Sequence, residues 1–149
     1  MVLHWKLVVD CAEPIGVAGF WADALGYVRE DNSALVERLL AAGAVGADDV
    51  TEVDGRPAWR RLAAIRHPDD PVDPSSGTGL GRRLLFQAVP EPKRVKNRLH
   101  LDLHAGPERR DVEVERLVGL GARVLRVVEE PGTHHVTLAD PEGNEFDVQ

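Results

Sequence analysis

The spacing of apolar residues divides the first quarter of the chain into a strand and a helix. The run Lys6–Cys11 (KLVVDC) is rich in β-branched residues, which predicts a short strand. Pro14 follows at a position typical of the first turn of a helix, and Gly26 is typical of the residue that ends one. The predicted helix has one apolar face, formed by Val17, Phe20, Trp21 and Leu25.

The middle of the chain predicts one more helix, a long loop and two strands. The helix is capped by Asn32 or Ser33 and ends at Gly43, with a buried stripe of Leu35, Leu39 and Leu40. Residues Trp59–Arg66 (WRRLAAIR) and Arg83–Val89 (RLLFQAV) predict strands. Between them, His67–Gly81 is so dense in Pro, Gly, Asp and Ser that it predicts a long surface loop.

The last third repeats the order strand, helix, three strands. Arg98–His104 (RLHLDLH) alternates strictly, Glu108–Leu120 has helical spacing, and Gly121 ends that helix. Three further strands are predicted, the last of them after the tight turn DPEGN: Ala122–Val128, His135–Ala139 and Glu145–Gln149. The second half therefore repeats the order of elements of the first half, without the additional helix.

Composition narrows the class of protein. The 149 residues carry a net charge of −7, which disfavours binding to a nucleic-acid backbone. One cysteine, Cys11, excludes an internal disulfide or a cysteine-based zinc site. No apolar run approaches the roughly 20 residues of a membrane span, and the N-terminal residues lack the pattern of a signal peptide. These features predict a soluble, cytoplasmic, single-domain protein with no membrane partner.

Alternation also predicts which side chains share a face of each strand. In RLHLDLH the leucines Leu99, Leu101 and Leu103 lie on one side, and His100, Asp102 and His104 lie on the other. The last strand likewise separates Phe146 and Val148 from Glu145 and Asp147. A concave sheet would gather four candidate metal ligands, His4, Gln87, His100 and Asp147. Alternation by itself is more typical of an antiparallel sheet with one solvated face.

Several motifs resemble those of the vicinal oxygen chelate superfamily. They are the opening KNRLHLDL and the closing LADPEGNEFDV of the second half. More narrowly, VVDCAEP followed by FWADALGY and RRLLFQAVPEPKRVKNRLHLDL resembles the actinobacterial glyoxalase-like branch. The resemblance implies an α+β fold of paired βαβββ modules that form a curled, cup-like mixed sheet with flanking helices. Module one would span about residues 1–92, with an inserted helix near 33–43 and the long loop 67–81, and module two about residues 97–149.

The resemblance also implies where a metal would bind. His100, Asp147 and Gln87 correspond to ligand positions, although a glutamate is more usual where Gln87 stands. The first-strand ligand is either His4 or Lys6, with Asp10 further along the same face. The implied cofactor is a divalent ion, Zn, Ni, Mn or Fe(II). Because Gln87 replaces the usual glutamate and the first-strand ligand is not fixed, a metal-free protein is the alternative.

Other residues are assigned to the surroundings of that site. Asp102, His104 and Glu145 are predicted to contact the ligand from the rim, and Trp5 and Trp59 to line the cup. His134 and His135 stand beside Gly132, which predicts a solvated hairpin turn for both.

Two functional hypotheses follow. One is a metal-dependent lyase, isomerase or dioxygenase that acts on a small, vicinally oxygenated compound. The other is a metal-free protein that binds or sequesters a small molecule, as in drug resistance. The sequence does not indicate which residue would act as the catalytic base. Because members of the superfamily commonly form dimers, the resemblance implies a homodimer.

Overall fold

Ten β-strands and three α-helices make up the computed structural model, which describes all 149 residues. The chain divides into two units, Met1–Pro90 and Glu91–Gln149. The elements of the first unit are β1 (Leu7–Cys11), α1 (Pro14–Leu25), β2 (Val28–Arg29), α2 (Ser33–Ala41), β3 (Val50–Val53), β4 (Arg56–Trp59), β5 (Leu62–Arg66) and β6 (Arg83–Ala88). Those of the second unit are β7 (Asp102–Leu103), α3 (Arg110–Gly119), β8 (Arg123–Glu130), β9 (Thr133–Ala139) and β10 (Glu145–Val148).

Each unit contains one four-stranded mixed sheet, and the two sheets have the same topology. The strand order is β1-β6-β5-β2 in the first unit and β7-β10-β9-β8 in the second. In both, the first strand pairs in parallel with the last, and the other pairs are antiparallel. The pairing of β1 with β6 joins Leu7 to Leu84. This repeated βαβββ topology confirms the predicted α+β fold class.

Helix α1 covers one face of the first sheet, as the sequence predicts. Val17, Phe20 and Trp21 are buried, and Gly26 ends the helix with φ of 66°, which favours glycine. Phe20 and Trp21 meet edge to face, with ring centroids 5.4 Å apart. In α2 the prediction was wrong about the buried residue: Val36 is fully buried, whereas Leu35, Leu39 and Leu40 are only partly buried.

The predicted strand Trp59–Arg66 is two strands, because the chain leaves one sheet at Trp59 and enters another at Leu62. Strand β4 belongs to a separate hairpin with β3, which the sequence analysis missed. The signal for this hairpin is the dipeptide Asp54-Gly55, whose φ angles of 50° and 75° are those of a tight hairpin turn.

The predicted strand Arg98–His104 is also wrong in extent. Only Asp102 and Leu103 are paired, because β10 offers them two parallel partners, Asp147 and Val148. Leu99, predicted to lie on one face of this strand, is therefore outside the sheet and is 77% exposed.

The stretch 67–81 contains no strand or helix, only an isolated bridge between Val72 and Gly79. Hydrogen bonds nevertheless join it to the rest of the first unit at several positions. Asp70 accepts hydrogen bonds from the backbone and guanidinium of Arg82, and Gly79 donates its N–H to Glu30 Oε1 over 2.7 Å. Glu30 is fully buried and pairs with Arg83 on β6. No helix of the chain is both long enough and apolar enough to span a bilayer.

Candidate functional site

The register of the second sheet aligns polar side chains on one of its faces. On the other face, Phe146 and Val148 of β10 lie opposite Leu138 and Val136 of β9, and all four are buried. Asp147 points the opposite way, because side chains alternate along a strand. Its partners in the ladders are Asp102 on β7 and Thr137 on β9, and Thr137 in turn pairs with Arg126 on β8. A row of polar residues therefore crosses all four strands.

His100 completes a cluster at one end of this row. Its Nε2 atom lies 3.3 Å from Asp102 Oδ1 and 3.7 Å from Asp147 Oδ2. One ligand atom from each of the three side chains lies within 4.8 Å of the others. The side chain of Asp147 is only 15% exposed, whereas His100 and Asp102 are 43% and 40% exposed. The cluster is thus open to solvent on one side and supported by the sheet on the other.

Each carboxylate of the cluster is held in place through one oxygen. The Thr137 hydroxyl donates to Asp147 Oδ1 over 2.6 Å, and Arg126 Nε donates to the Thr137 hydroxyl oxygen over 3.3 Å. The amide of Gln149 donates to Asp102 Oδ2 over 2.8 Å. Consequently the remaining oxygens, Asp147 Oδ2 and Asp102 Oδ1, are the ones that face His100.

This donor set fits a divalent cation. One imidazole and two carboxylates supply nitrogen and oxygen ligands of the kind that Mn, Fe(II) and Zn accept. The hydrogen bonds from Thr137 and Gln149 correspond to the outer contacts that orient metal ligands in other proteins. With three protein ligands, the coordination sphere of such an ion would keep positions open for a small molecule.

The sequence analysis missed His135. The residue lies on β9, two positions before Thr137, and its Nε2 atom is 3.6 Å from Asp147 Oδ2. Its side chain is 18% exposed, whereas the neighbouring His134 is 42% exposed and pairs with Glu129. The predicted strand His135–Ala139 is confirmed as part of β9, and because β9 begins at Thr133, the solvated turn predicted for His135 was wrong. Alternation from His135 to Thr137 is the signal that would have placed it on the polar face.

Glu145, a predicted ligand-contacting residue, is engaged by the segment that precedes β7. Its Oε2 atom accepts the backbone N–H of Asn97 over 2.9 Å and lies 3.3 Å from the Lys93 ammonium. Burial raises the pKa of Glu145, but the Asn97 N–H and Lys93 outweigh it and hold the pKa below its usual value. His104 follows β7 and is exposed.

The remaining predicted site residues belong to the first unit. Gln87 on β6 is exposed and lies between Asp10 of β1 and Leu62 of β5 in the sheet. His4 and Trp5 precede β1 and are exposed. Lys6, the alternative first-strand ligand, also precedes β1 and is exposed. Trp59 is partly buried at the end of β4. The roles assigned to these residues stay predictions.

Comparison with known proteins agrees with this fold. The model of the glyoxalase-like domain family matches residues 6–149. The chain belongs to this family, within the vicinal oxygen chelate superfamily. A search of curated proteins finds no match.

Solved structures of the same fold include the fosfomycin resistance protein FosX from Mesorhizobium loti, with 9% identity and a TM-score of 0.61 over 100% of this chain and 91% of that one. A FosX variant from Listeria monocytogenes, complexed with Mn(II) and 1S,2S-dihydroxypropylphosphonic acid, has 10% identity and a TM-score of 0.60 over 100% and 92%. A glyoxalase/bleomycin resistance/dioxygenase family enzyme from Burkholderia phytofirmans PsJN has 13% identity and a TM-score of 0.57 over 96% and 94%. At these identities the likeness shows the fold.

Proposed function

We propose that this glyoxalase-like protein is a metal-dependent enzyme that acts on a small molecule with oxygen atoms on adjacent carbons. The observation that carries the proposal is the convergence of His100 Nε2, Asp102 Oδ1 and Asp147 Oδ2 on one exposed edge of the second sheet. In the proposed holoprotein these three side chains hold one divalent ion. When bound, such an ion polarises substrate oxygens as a Lewis acid.

The protein's own contribution is to fix its carboxylates before anything binds. Thr137 and Gln149 each occupy one carboxylate oxygen, so Asp147 and Asp102 need little reorganisation to present the other. The imidazole of His135 lies on the same face, with its Nε2 atom 3.6 Å from Asp147 Oδ2. Prepositioned groups of this kind favour binding because less conformational entropy is lost.

The ligand class comes from a structural relative. FosX from Listeria monocytogenes is described with Mn(II) and a dihydroxypropylphosphonic acid, a compound with hydroxyl groups on neighbouring carbons. Because that likeness extends only to the fold, we propose the class of vicinally oxygenated compounds and no individual substrate. The homodimer and the cytoplasmic location stay predictions.

Metal content tests the proposal. Purified protein is stripped with a chelator, reconstituted separately with Mn, Fe(II), Ni and Zn, dialysed, and assayed for bound metal. We expect close to one equivalent of at least one metal in the wild type, and a loss of at least about tenfold in affinity for His100→Ala, because one of three ligands is removed. His134→Ala is the matched control, since His134 contacts Glu129 and not the cluster.

Retention of less than about a tenth of an equivalent of every metal would overturn the proposal that the protein is a metalloenzyme. Binding of a small oxygenated compound to the metal-free protein would then favour the alternative, sequestration without chemistry. If His100→Ala changes neither metal content nor ligand binding, the cluster has no part in the function.

A further inference from the structure

The first unit contains a cavity that the proposed function does not use. Its volume is about 490 Å³, within the range of small-molecule sites in proteins. Its walls are α1, β2 with the residues that follow it up to Asn32, the β3–β4 hairpin and the first half of β5. We infer that this cavity is a binding site for an uncharged, flat, aromatic compound.

The cavity arises from the way the strands end. On the β2 side, Arg29 is opposite Ile65 and the Glu30 N–H donates to the Ala64 carbonyl over 2.9 Å, so that only the first residues of β5, Leu62 and Ala63, have no strand beside them there. The β3–β4 hairpin forms its own two-stranded sheet and does not fill this edge. Four of the side chains that surround the gap are small, because they are alanines: Ala18, Ala58, Ala63 and Ala64. Backbone topology and missing side-chain volume thus create the space together.

The lining favours an apolar, planar occupant. Ile15, Val28, Val53 and Leu62 supply aliphatic surface, and Trp59 supplies the one aromatic ring. An indole next to aliphatic walls suits an aromatic ring, which can pack on its face or edge in addition to burying area. The Trp59 ring is partly buried, so a ligand is able to reach it.

The charges at the cavity do not favour an ionic ligand, because each is already paired. Arg29 lies 3.3 Å from Asp54, and Arg56 pairs with Asp31. The fully buried Glu30 is bound by Arg83. The Arg29–Asp54 and Arg56–Asp31 pairs are largely exposed and contribute little themselves. Because each charge has a partner, none is left unpaired to attract an ionic compound, and a charged group entering the cavity would lose water without gaining a partner.

Two dyes that differ by a single charged group test the inference. N-phenyl-1-naphthylamine is neutral, and 8-anilino-1-naphthalenesulfonate is the same framework with a sulfonate. Fluorescence titrations in the presence of EDTA keep the test independent of the metal proposed above. We expect saturable one-to-one binding of the neutral dye with a Kd on the order of 10 µM. Binding of the sulfonate is expected to be at least roughly tenfold weaker, because its charge would be desolvated without a partner.

Matched substitutions locate the site. Trp59→Ala is expected to weaken binding of the neutral dye at least about tenfold, whereas Leu80→Ala is expected to change nothing because Leu80 is 65% exposed and lies outside the cavity. Ala58→Leu fills the cavity and is expected to abolish binding. Ala34→Leu, at an exposed position on α2, is its control. Circular dichroism melts establish that each variant is folded.

A further variant tests the role of charge. Asp54→Asn removes the partner of Arg29 while keeping a residue that tolerates the φ of 50° at this turn. This change is expected to strengthen binding of the sulfonate dye and to leave the neutral dye unaffected. The inference is overturned if folded Trp59→Ala and Ala58→Leu proteins bind the neutral dye within about twofold of the wild type. It is equally overturned if the sulfonate binds the wild type more tightly than the neutral dye.

Discussion

Thr137→Val is expected to weaken the proposed metal site without touching a ligand. Valine has nearly the shape of threonine, so the substitution removes the hydroxyl that donates to Asp147 Oδ1 over 2.6 Å and leaves the packing of β9 in place. Thr137 is 5% exposed and the Asp147 side chain 15%, so water does not readily replace the lost donor. A hydrogen bond to a charged group contributes about 1.5–3 kcal/mol.

Two measurements follow from that magnitude. With a urea m-value of about 2 kcal/mol/M, a loss of about 2 kcal/mol shifts the unfolding midpoint of the metal-free protein down by about 1 M. Removing a contact that orients a metal ligand is expected to lower metal affinity about 10- to 100-fold by calorimetry. All three tryptophans lie in the first unit, so their fluorescence reports on that unit, and circular dichroism is needed to follow the second.

The controls separate orientation from general damage. Thr137→Ser keeps the hydroxyl and is expected to retain most of the metal affinity. Thr51→Val, on β3 of the first unit, is expected to bind metal as the wild type does. The reasoning is refuted if Thr137→Val binds metal as tightly as Thr137→Ser, since the hydroxyl would then have no part in presenting Asp147.

Three further predictions concern the first unit. Gly77→Ala is expected to destabilise the protein by at least about 2 kcal/mol in urea unfolding, because φ is 73° and a Cβ would lie 1.9 Å from a backbone carbonyl oxygen. Gly19→Ala, with open space around this position of α1, is expected to stabilise the protein by about 0.5–1 kcal/mol. A Gly77→Ala protein more stable than the Gly19→Ala protein would contradict this account. Hydrogen bonds from Arg82 lower the pKa of Asp70 to about 2. The stability contributed by this pair is therefore present above about pH 4 and is lost as the pH falls toward 2. Asp70→Asn is expected to remove that part of the acid dependence, and an unchanged profile of melting temperature against pH would refute the assignment. Gln87→Ala is expected to lower metal affinity if the family-derived ligand assignment is right, and an unchanged calorimetric titration excludes this residue as a ligand.

The sequence predicted the arrangement of elements better than their lengths. Helix α1 matched closely because proline, a continuous apolar face and a terminal glycine all lie within one local segment. By contrast, the alternation in RLHLDLH was real, but strand length depends on the partner, and β10 pairs only Asp102 and Leu103 of that run. Local periodicity carries no information on where a partner strand ends.

The candidate site was predictable in part for the same reason. His100, Asp102 and Asp147 came from the alternation along their strands, and the family motifs then assigned His100 and Asp147 as ligands. His135 was missed because its neighbours Gly132 and His134 suggested a turn, and only the antiparallel register with β10 places it beside Asp147. The hydrogen bond from Thr137 likewise depends on the register of two strands, which no single segment specifies.

The parallel pairing of β1 with β6 has a consequence for biosynthesis. β1 is an edge strand whose only neighbour is β6, so Leu7 must wait for Leu84, roughly 80 residues later in the chain. At translation rates of about 5–20 residues per second, this delay lasts about 4–16 s. During that interval the nascent chain carries an apolar strand with unpaired backbone groups, which is the kind of segment that aggregates or recruits chaperones. The β8–β9 hairpin, by contrast, joins neighbouring residues and is able to close as soon as it leaves the ribosome.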